Sequence, residues 1–314
     1  MKFIFRAALC LLLSHVGAGA ASAESAVSYP LSIEDDMGRV VSFPASPARV
    51  VSVGPSTTEM LFAIGVADRL VGIDRFSNYP PETEDVEKVG GLVDPSIERI
   101  VGLRPDVVFM RDLSVQHVER LDALGLRTVV VGSRDVAGVY GSLKLLGWIM
   151  DAREEAEAVA AVMRDRLARI ARVVEDVPVE SRPSVFYELG HEPLYTAGPG
   201  SFVHEAIALA GGVNAAADVP SAWSSFSVES LLSRDPDIIL VTVEESLDAI
   251  REGRRAGWRA LRAVKTGRVY LIDGDAMNRP GPRLADAVDS LARLLYPDLF
   301  PEEEDHHAGA DARE

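Results

Sequence analysis

Short apolar runs and longer helical patterns alternate along this chain. Runs of apolar, mostly β-branched residues at 49–53, 107–110, 184–188 and 238–242 are bounded by turn-forming residues, which is typical of buried strands. The segments between them have apolar residues at helical spacing, and several stop at glycine. This β-α-β alternation predicts an α/β fold with parallel sheets flanked by helices.

One segment of the chain occurs twice. Residues 96–109 align without a gap with residues 227–240, and both copies predict a serine-capped short helix that leads into a buried strand. Two copies predict two similar α/β lobes, and a cleft between such lobes is a natural place for a ligand. The matching positions are Ser96, Glu98 and Pro105-Asp106 in the first copy and Ser227, Glu229 and Pro236-Asp237 in the second.

A long segment between the two lobes lacks Gly and Pro. Residues 151–175 have apolar residues at helical spacing, including Val159, Met163 and Ile170, and predict one amphipathic helix of about 25 residues. Its length favours a helix that links the lobes, and the alternative is an ordinary long surface helix.

The predicted divisions are a leader at 1–23, an N-terminal lobe at 24–150, a linking helix at 151–177, a C-terminal lobe at 178–300 and an acidic, disordered tail at 301–314.

Local signals refine the N-terminal lobe. Apolar and polar residues alternate over 29–43 around a turn at 36–38, which predicts a β-hairpin. Ser56 and Glu59 have the spacing of a capping box, which predicts a helix that ends at Gly65.

The first residues have the order of a secretory signal. Lys2 and Arg6 precede an apolar stretch and an Ala-x-Ala site at 21–23, so we expect cleavage near Ala23/Glu24 and a periplasmic protein. Cys10, the single cysteine, follows a leucine rather than the small residue of a lipoprotein signal. The mature chain would then have no cysteine, which excludes disulfides and thiolate metal sites.

The chain is strongly acidic. It has 32 basic and 48 acidic residues and a net charge of −16, and loss of Lys2 and Arg6 with the leader takes this to −18. Such a charge argues against nucleic acid or an anionic lipid surface as a partner. We expect a monomer without a nucleic-acid partner.

Aromatic residues occur where strands are expected to end. The predicted loops at 74–81, 191–200, 223–226 and 275–283 contain Phe, Tyr, Trp or clustered polar residues. In α/β sheets the loops at the carboxyl ends of strands line the ligand crevice, and aromatic side chains there offer a large contact area. These loops therefore favour a binding site, although each aromatic alone is as compatible with packing.

Other polar residues have less specific patterns. Glu98 and Glu229 lie in the first turns of equivalent helices, where they offset the helix dipole or present two acidic contacts to a basic partner. The His306-His307 pair in the acidic tail favours an incidental pair over a metal site. No nucleophile elbow, P-loop or His-Glu-x-x-His motif occurs, so an enzyme has no motif in its favour.

With these motifs in place, the chain resembles the substrate-binding proteins of ABC importers for cobalamin, iron siderophores and haem, most closely the cobalamin-binding members. The resemblance runs over about 49–295, and its strongest parts are residues 76–81, 97–106, 193–198 and 279–283. It implies two Rossmann-like lobes joined by one long rigid helix, with a ligand cleft between them and limited lobe closure.

The resemblance also implies roles for particular residues. Phe76 and Tyr79 match an aromatic loop of the N-terminal lobe, and Tyr195 and Trp223 match cleft aromatics of the C-terminal lobe. Leu92 is a departure, because the cobalamin-binding members have a tryptophan there, and this weakens the stacking surface.

Charged residues complete the implied site. Asp275 and Arg279 match a polar pair near the ligand, and Glu98 and Glu229 match the glutamates that dock on the permease. For the iron-chelate alternative, Arg75, Arg111 and Arg279 would grip an anionic chelate. For haem, His191 or Tyr195 would serve as the axial ligand if its loop points inward.

The sequence therefore predicts a binding protein without a cofactor of its own. Its expected ligand is cobalamin or another metal chelate, delivered to an ABC permease and ATPase complex in the inner membrane. A ferric siderophore or haem receptor is the alternative within the family. An exported hydrolase and a ligand sensor are alternatives of other classes.

Overall fold

The computed structural model describes residues 27–111 and 115–300 of the 314-residue chain. The predicted leader with Cys10 and the predicted acidic tail with its histidine pair lie outside the described residues. The strands of the first half are β1 (Leu31–Glu34), β2 (Val40–Phe43), β3 (Val50–Val53), β4 (Leu70–Ile73), β5 (Val107–Met110) and β6 (Thr128–Val130).

The first half of the chain contains a hairpin and a parallel sheet. β1 and β2 pair antiparallel around the turn, so the predicted hairpin is confirmed. The sheet has the strand order β4-β3-β5-β6, and all its neighbours are parallel. Strand β5 is buried along its whole length because helices cover both faces of the sheet.

The second half forms a similar parallel sheet and a smaller antiparallel one. The parallel sheet has the order β10-β7-β12-β13, and the three-stranded sheet has the order β11-β9-β8. These strands are β7 (Ser184–Glu188), β8 (Gly190–His191), β9 (Leu194–Ala197), β10 (Val213–Asn214), β11 (Trp223–Ser225), β12 (Ile238–Val241) and β13 (Val269–Leu271).

The small sheet corrects two predicted loops. Segments 191–200 and 223–226 were expected to be loops, but β8, β9 and β11 occupy much of them. Each strand is only two to four residues long, and their partners are other short segments, so the sequence has no strong period-two pattern there.

Helices occupy most of the remaining chain. Those of the described residues are α1 (Pro55–Ala63), α2 (Ile97–Gly102), α3 (Val115–Ala123), α4 (Val136–Met150), α5 (Arg153–Val174), α6 (Phe202–Leu209), α7 (Val228–Arg234), α8 (Glu244–Arg251), α9 (Arg262–Lys265), α10 (Gly274–Asn278) and α11 (Leu284–Leu295). Helix α10 covers 275–278 of the segment 275–283, which the sequence predicted to be a loop.

The long helix α5 lies between the two halves in sequence. It has 22 residues rather than about 25, which corresponds to about 33 Å. It begins later than predicted because Asp151, with φ 54°, takes a left-handed conformation and ends the preceding helix α4. Helix α4 was not predicted, because its apolar residues have no strong helical periodicity.

One apolar core joins the two lobes through α5. A continuous cluster of buried side chains includes Phe109 of β5, Met163 and Leu167 of α5, Tyr187 of β7 and Leu291 of α11. Two smaller clusters fill the far side of each parallel sheet. The lobes are therefore held together at the linking helix by packing.

The predicted capping box is wrong. Helix α1 has Gly54 as its N-cap without a side-chain hydrogen bond, and Pro55 is at its first position. Ser56 therefore lies inside the first turn, where its hydroxyl oxygen accepts a hydrogen bond from Arg111 Nη1 at 3.0 Å. The carboxylate of Glu59 does not turn back to the helix start and instead binds arginines of the other lobe.

Candidate ligand cleft

Two aromatic side chains of the C-terminal lobe share one face of the small sheet. Tyr195 on β9 is the partner of Ser225 on β11, and Trp223 lies two residues before Ser225, so Tyr195 and Trp223 point to the same side. Their exposures are 39% and 40%, whereas Thr196 and Ser224 on the opposite side are buried. This face is a half-exposed aromatic surface on a strand framework.

Trp223 is supported from the side. Its ring contacts Phe202, at the start of α6, in an edge-to-face arrangement with 5.4 Å between ring centroids. Ser201 caps α6 by accepting a hydrogen bond from the backbone N–H of His204. The capped start of α6 thus positions the Phe202 ring, which packs against Trp223.

In the N-terminal lobe the aromatic residues lie on a loop. Phe76 and Tyr79 follow β4 and have exposures of 49% and 43%. The fully buried carboxylate of Asp74 accepts hydrogen bonds from the backbone N–H of Phe76 at 2.8 Å and the hydroxyl of Ser77 at 2.6 Å. Burial raises the pKa of Asp74 even though these hydrogen bonds oppose the shift.

Arg75 and Leu92, the other residues predicted for this lobe, lie near the Phe76 loop. The guanidinium of Arg75 lies 5.4 Å from the centroid of the Phe76 ring and pairs with Asp94 at 2.5 Å. Leu92 is half-buried and follows the turn in which Gly90 has φ 110°. This turn brings the Leu92 segment close to Arg75 and Asp94.

The predicted polar pair joins the lobes. Arg279 Nη1 donates to Asn78 Oδ1 at 2.7 Å, and Arg279 Nη2 donates to the carbonyl oxygen of Phe76 at 3.1 Å. Asp275 accepts a hydrogen bond from Asn78 Nδ2 at 3.2 Å and pairs with Arg279 at 2.7 Å. The Arg279 side chain is only 12% exposed, so most of its donors face protein groups.

Two further residues of this contact, Glu59 and Arg283, were not predicted from the sequence. Glu59 of α1 accepts hydrogen bonds from Arg279 and from Arg283, and the Arg283 guanidinium lies 4.1 Å from the centroid of the Tyr79 ring. Hydrogen bonding to Glu59 raises the pKa of Arg283. The only sequence signal for Glu59 was a spacing that suggested a helix cap.

Arg111 and His191, which were predicted for iron-chelate or haem binding, contact different polar groups. Arg111 donates to Ser56 near the start of α1, and His191 lies in the β8–β9 hairpin 3.5 Å from a carboxylate oxygen of Glu192. In residues 27–111 and 115–300, no group of three or more His, Cys, Asp or Glu side chains could hold a metal ion.

Glu98 and Glu229 lie at equivalent positions of the two lobes. Each is the second residue of a short helix, α2 or α7, and each is exposed. Ser96 and Ser227 cap these helices through the backbone N–H groups of Arg99 and Ser230, which confirms the predicted caps. The two carboxylates thus lie at matching, serine-capped helix starts.

A cavity of about 920 Å³ lies beside Glu59, away from the small sheet. Its walls come from α1, the middle of α5 and the start of α11, and include Phe62, Val159 and Met163. Of the predicted aromatics it includes Tyr79 but neither Tyr195 nor Trp223. The aromatic surfaces follow the carboxyl ends of β4 and β7, where ligands of α/β sheets bind, so they remain the better candidate site.

A family model described as periplasmic binding protein matches residues 50–276. The chain therefore belongs to this family, the substrate-binding proteins of ABC importers, and the predicted resemblance and fold class are confirmed. A cobalamin-binding protein of Halobacterium salinarum is 33% identical over 287 residues, which are 88% of this chain and 77% of that protein.

Solved structures agree with this fold. The periplasmic vitamin B12 binding protein of Vibrio cholerae is 26% identical with a TM-score of 0.70, covering 80% of this chain and 98% of that one. A periplasmic heme binding protein of Pseudomonas aeruginosa is also 26% identical, with a TM-score of 0.73 and coverage of 80% and 94%. The family implies an extracytoplasmic location and a permease partner, and no helix of the described residues is long and apolar enough to span a membrane.

Proposed function

We propose that this protein captures a corrinoid in the cleft between its lobes and delivers it to an ABC permease and ATPase complex in the inner membrane. The observation that carries the proposal is the pair of half-exposed aromatic surfaces, Phe76 and Tyr79 on one lobe and Tyr195 and Trp223 on the other. Similarity to a cobalamin-binding relative supports the same ligand class.

The proposed mechanism is binding and docking rather than bond chemistry. The four aromatics and Leu92 contact the apolar parts of the ligand, and Asp275 and Arg279 contact polar groups at the rim. The protein works as a periplasmic monomer after cleavage near Ala23/Glu24, without a cofactor of its own. Aromatic surfaces suit this role because they bury large area with little loss of side-chain entropy.

Calorimetric titration of the mature protein with cyanocobalamin tests this proposal. Haemin and a ferric hydroxamate are titrated in parallel, because the structure of a heme-binding protein is equally similar. Saturable one-to-one binding of cyanocobalamin alone supports the corrinoid. Binding of an iron chelate with no response to cyanocobalamin rejects the corrinoid. It favours a siderophore receptor that uses Arg75, Arg111 and Arg279, or a haem receptor that uses His191 or Tyr195.

Glu98 and Glu229 are proposed to dock on basic residues of the permease. Changing both to alanine is expected to abolish most ligand uptake in cells and to leave ligand affinity unchanged, because both side chains lie on exposed helix starts. The matched control changes Glu154 and Glu244, which are exposed in the first turns of α5 and α8. Normal uptake by the first double variant, or equal loss in the control, would reject the docking role.

A further inference from the structure

The two lobes are also joined beside the Phe76–Tyr79 loop by a buried charged contact. Helix α1 of the N-terminal lobe supplies Glu59, which is 4% exposed. The C-terminal lobe supplies Arg279, directly after α10, and Arg283, directly before α11. We call these three residues the interlobe clasp.

The geometry of the clasp is that of strong charge-assisted hydrogen bonds. Arg283 donates through Nε to Glu59 Oε2 at 2.9 Å and through Nη2 to Glu59 Oε1 at 2.8 Å, which is a bidentate pair. Arg279 Nη1 adds a third bond to Glu59 Oε1 at 3.1 Å. One carboxylate of one lobe thus accepts three bonds from two arginines of the other.

Each arginine also holds the aromatic loop. Arg279 donates to Asn78 and to the carbonyl oxygen of Phe76, and Arg283 stacks on Tyr79. Movement of the C-terminal lobe away from Glu59 would therefore also break the contacts that hold this loop. The clasp couples the separation of the lobes to the position of the predicted N-terminal aromatics.

A cavity and the apolar core both lie next to the clasp. The 920 Å³ cavity is lined by Glu59, Tyr79 and Arg283 together with apolar residues of α1 and α5. Met60, directly after Glu59, and Leu284, directly after Arg283, are buried in the apolar core that joins the lobes. The clasp therefore adds directional charged contacts at the edge of a packed interlobe core.

We infer that Glu59 is an interlobe positioning residue that holds the two lobes at the separation seen in this structure. A carboxylate with so little exposure needs partners, and both of its partners come from the opposite lobe. Opening of the cleft separates Glu59 from both arginines at once. The clasp thus sets the width of the cleft independently of which ligand is bound.

Distance measurements between the lobes test this inference without any ligand. Spin labels at Val93→Cys and Val243→Cys report the separation by pulsed electron resonance, because both residues are exposed and lie on different lobes. The chain from residue 24 onward has no native cysteine, so only the two introduced cysteines are labelled. In Glu59→Gln the mean interlobe distance is expected to increase and its distribution to broaden.

The matched control is Glu188→Gln. Glu188 is also a buried glutamate paired with an arginine, but its partner Arg255 belongs to the same lobe. Its substitution is expected to leave the distance distribution unchanged. A distribution for Glu59→Gln that matches the wild type, or equal broadening in both variants, would overturn the inference.

A second variant covers the case in which Glu59→Gln does not fold. Arg283→Lys keeps the positive charge but removes the planar fork that donates two bonds to Glu59. It is expected to lengthen the interlobe distance less than Glu59→Gln does. If Glu59→Gln does not fold, an unchanged distance in the folded Arg283→Lys protein rejects the clasp. Because no ligand is used, a failure of the corrinoid proposal would not affect this result.

Discussion

The two lobes bury a carboxylate at the carboxyl end of a strand in different ways. Asp74, directly after β4, is bonded by the backbone N–H of Phe76 and the hydroxyl of Ser77. Glu188, the last residue of β7, is bonded by the Arg255 guanidinium and by the hydroxyl of Ser246 at 2.7 Å. One lobe uses neutral donors and the other uses a counter-charge.

This difference has consequences for the two aromatic surfaces. The neutral donors offset only part of the cost of burying a negative charge, so burial raises the pKa of Asp74. The buried pair of Glu188 and Arg255 neutralises its own charge, but each partner becomes costly when the other is removed. The stability contributed by Asp74 should therefore change with pH, whereas that of the Glu188–Arg255 pair should be lost when one of its two charges is removed.

The largest expected effect is that of Glu188→Gln on stability. The change leaves the buried Arg255 without its counter-charge and should lower the free energy of unfolding by about 3–5 kcal/mol. Urea denaturation at neutral pH measures the loss. The control is Glu192→Gln, because the Glu192 side chain is 87% exposed and its change should cost less than about 0.5 kcal/mol. Similar values for both variants would show that Arg255 is compensated by other groups.

Removal of Trp223 compares the two aromatic surfaces by ligand binding. Trp223→Ala should weaken the binding of the ligand identified by titration by about 1–3 kcal/mol, because a large apolar contact is lost. Phe76→Ala should cost less, since the ring is smaller and lies on a loop. Calorimetry measures both affinities. Trp148→Ala is the control, because this tryptophan is also partly exposed but stacks on Arg153 of α5. Unchanged affinity in Trp223→Ala would remove this residue from the site.

The smallest expected effect concerns Asp74 and pH. Because the folded-state pKa of Asp74 is raised, the folded protein binds this proton more tightly than the unfolded chain does, and wild-type stability falls as pH rises through that pKa. Asp74→Asn should cost about 1–2 kcal/mol through altered hydrogen bonds. The difference in free energy of unfolding between wild type and Asp74→Asn should be larger at pH 4 than at pH 7. Denaturation of both proteins at the two pH values measures this, and an equal difference at both would contradict the neutral-donor model.

Much of the fold could be predicted from the sequence because its signals are local. The strands at 50–53, 107–110 and 184–188 are short, mostly apolar segments that are largely buried on both faces, and their length and β-branched or aromatic residues favour a strand over a helix. Serine caps at Ser96 and Ser227 are also local, because the hydroxyl oxygen binds a backbone N–H three residues ahead. These features depend on neighbours in sequence and so were correctly predicted.

The small sheet and the clasp could not be predicted in this way. Strands β9 and β11 are short, and only their pairing places Tyr195 and Trp223 on one face. The carboxylate of Glu59 has a cap-like spacing, yet tertiary structure places it against Arg279 and Arg283, more than 200 positions away. The sequence by itself determined the family, the repeated α/β units and the candidate aromatics, because local patterns specify them. Only the tertiary structure decided which residues join the lobes, because those contacts depend on how distant segments pack.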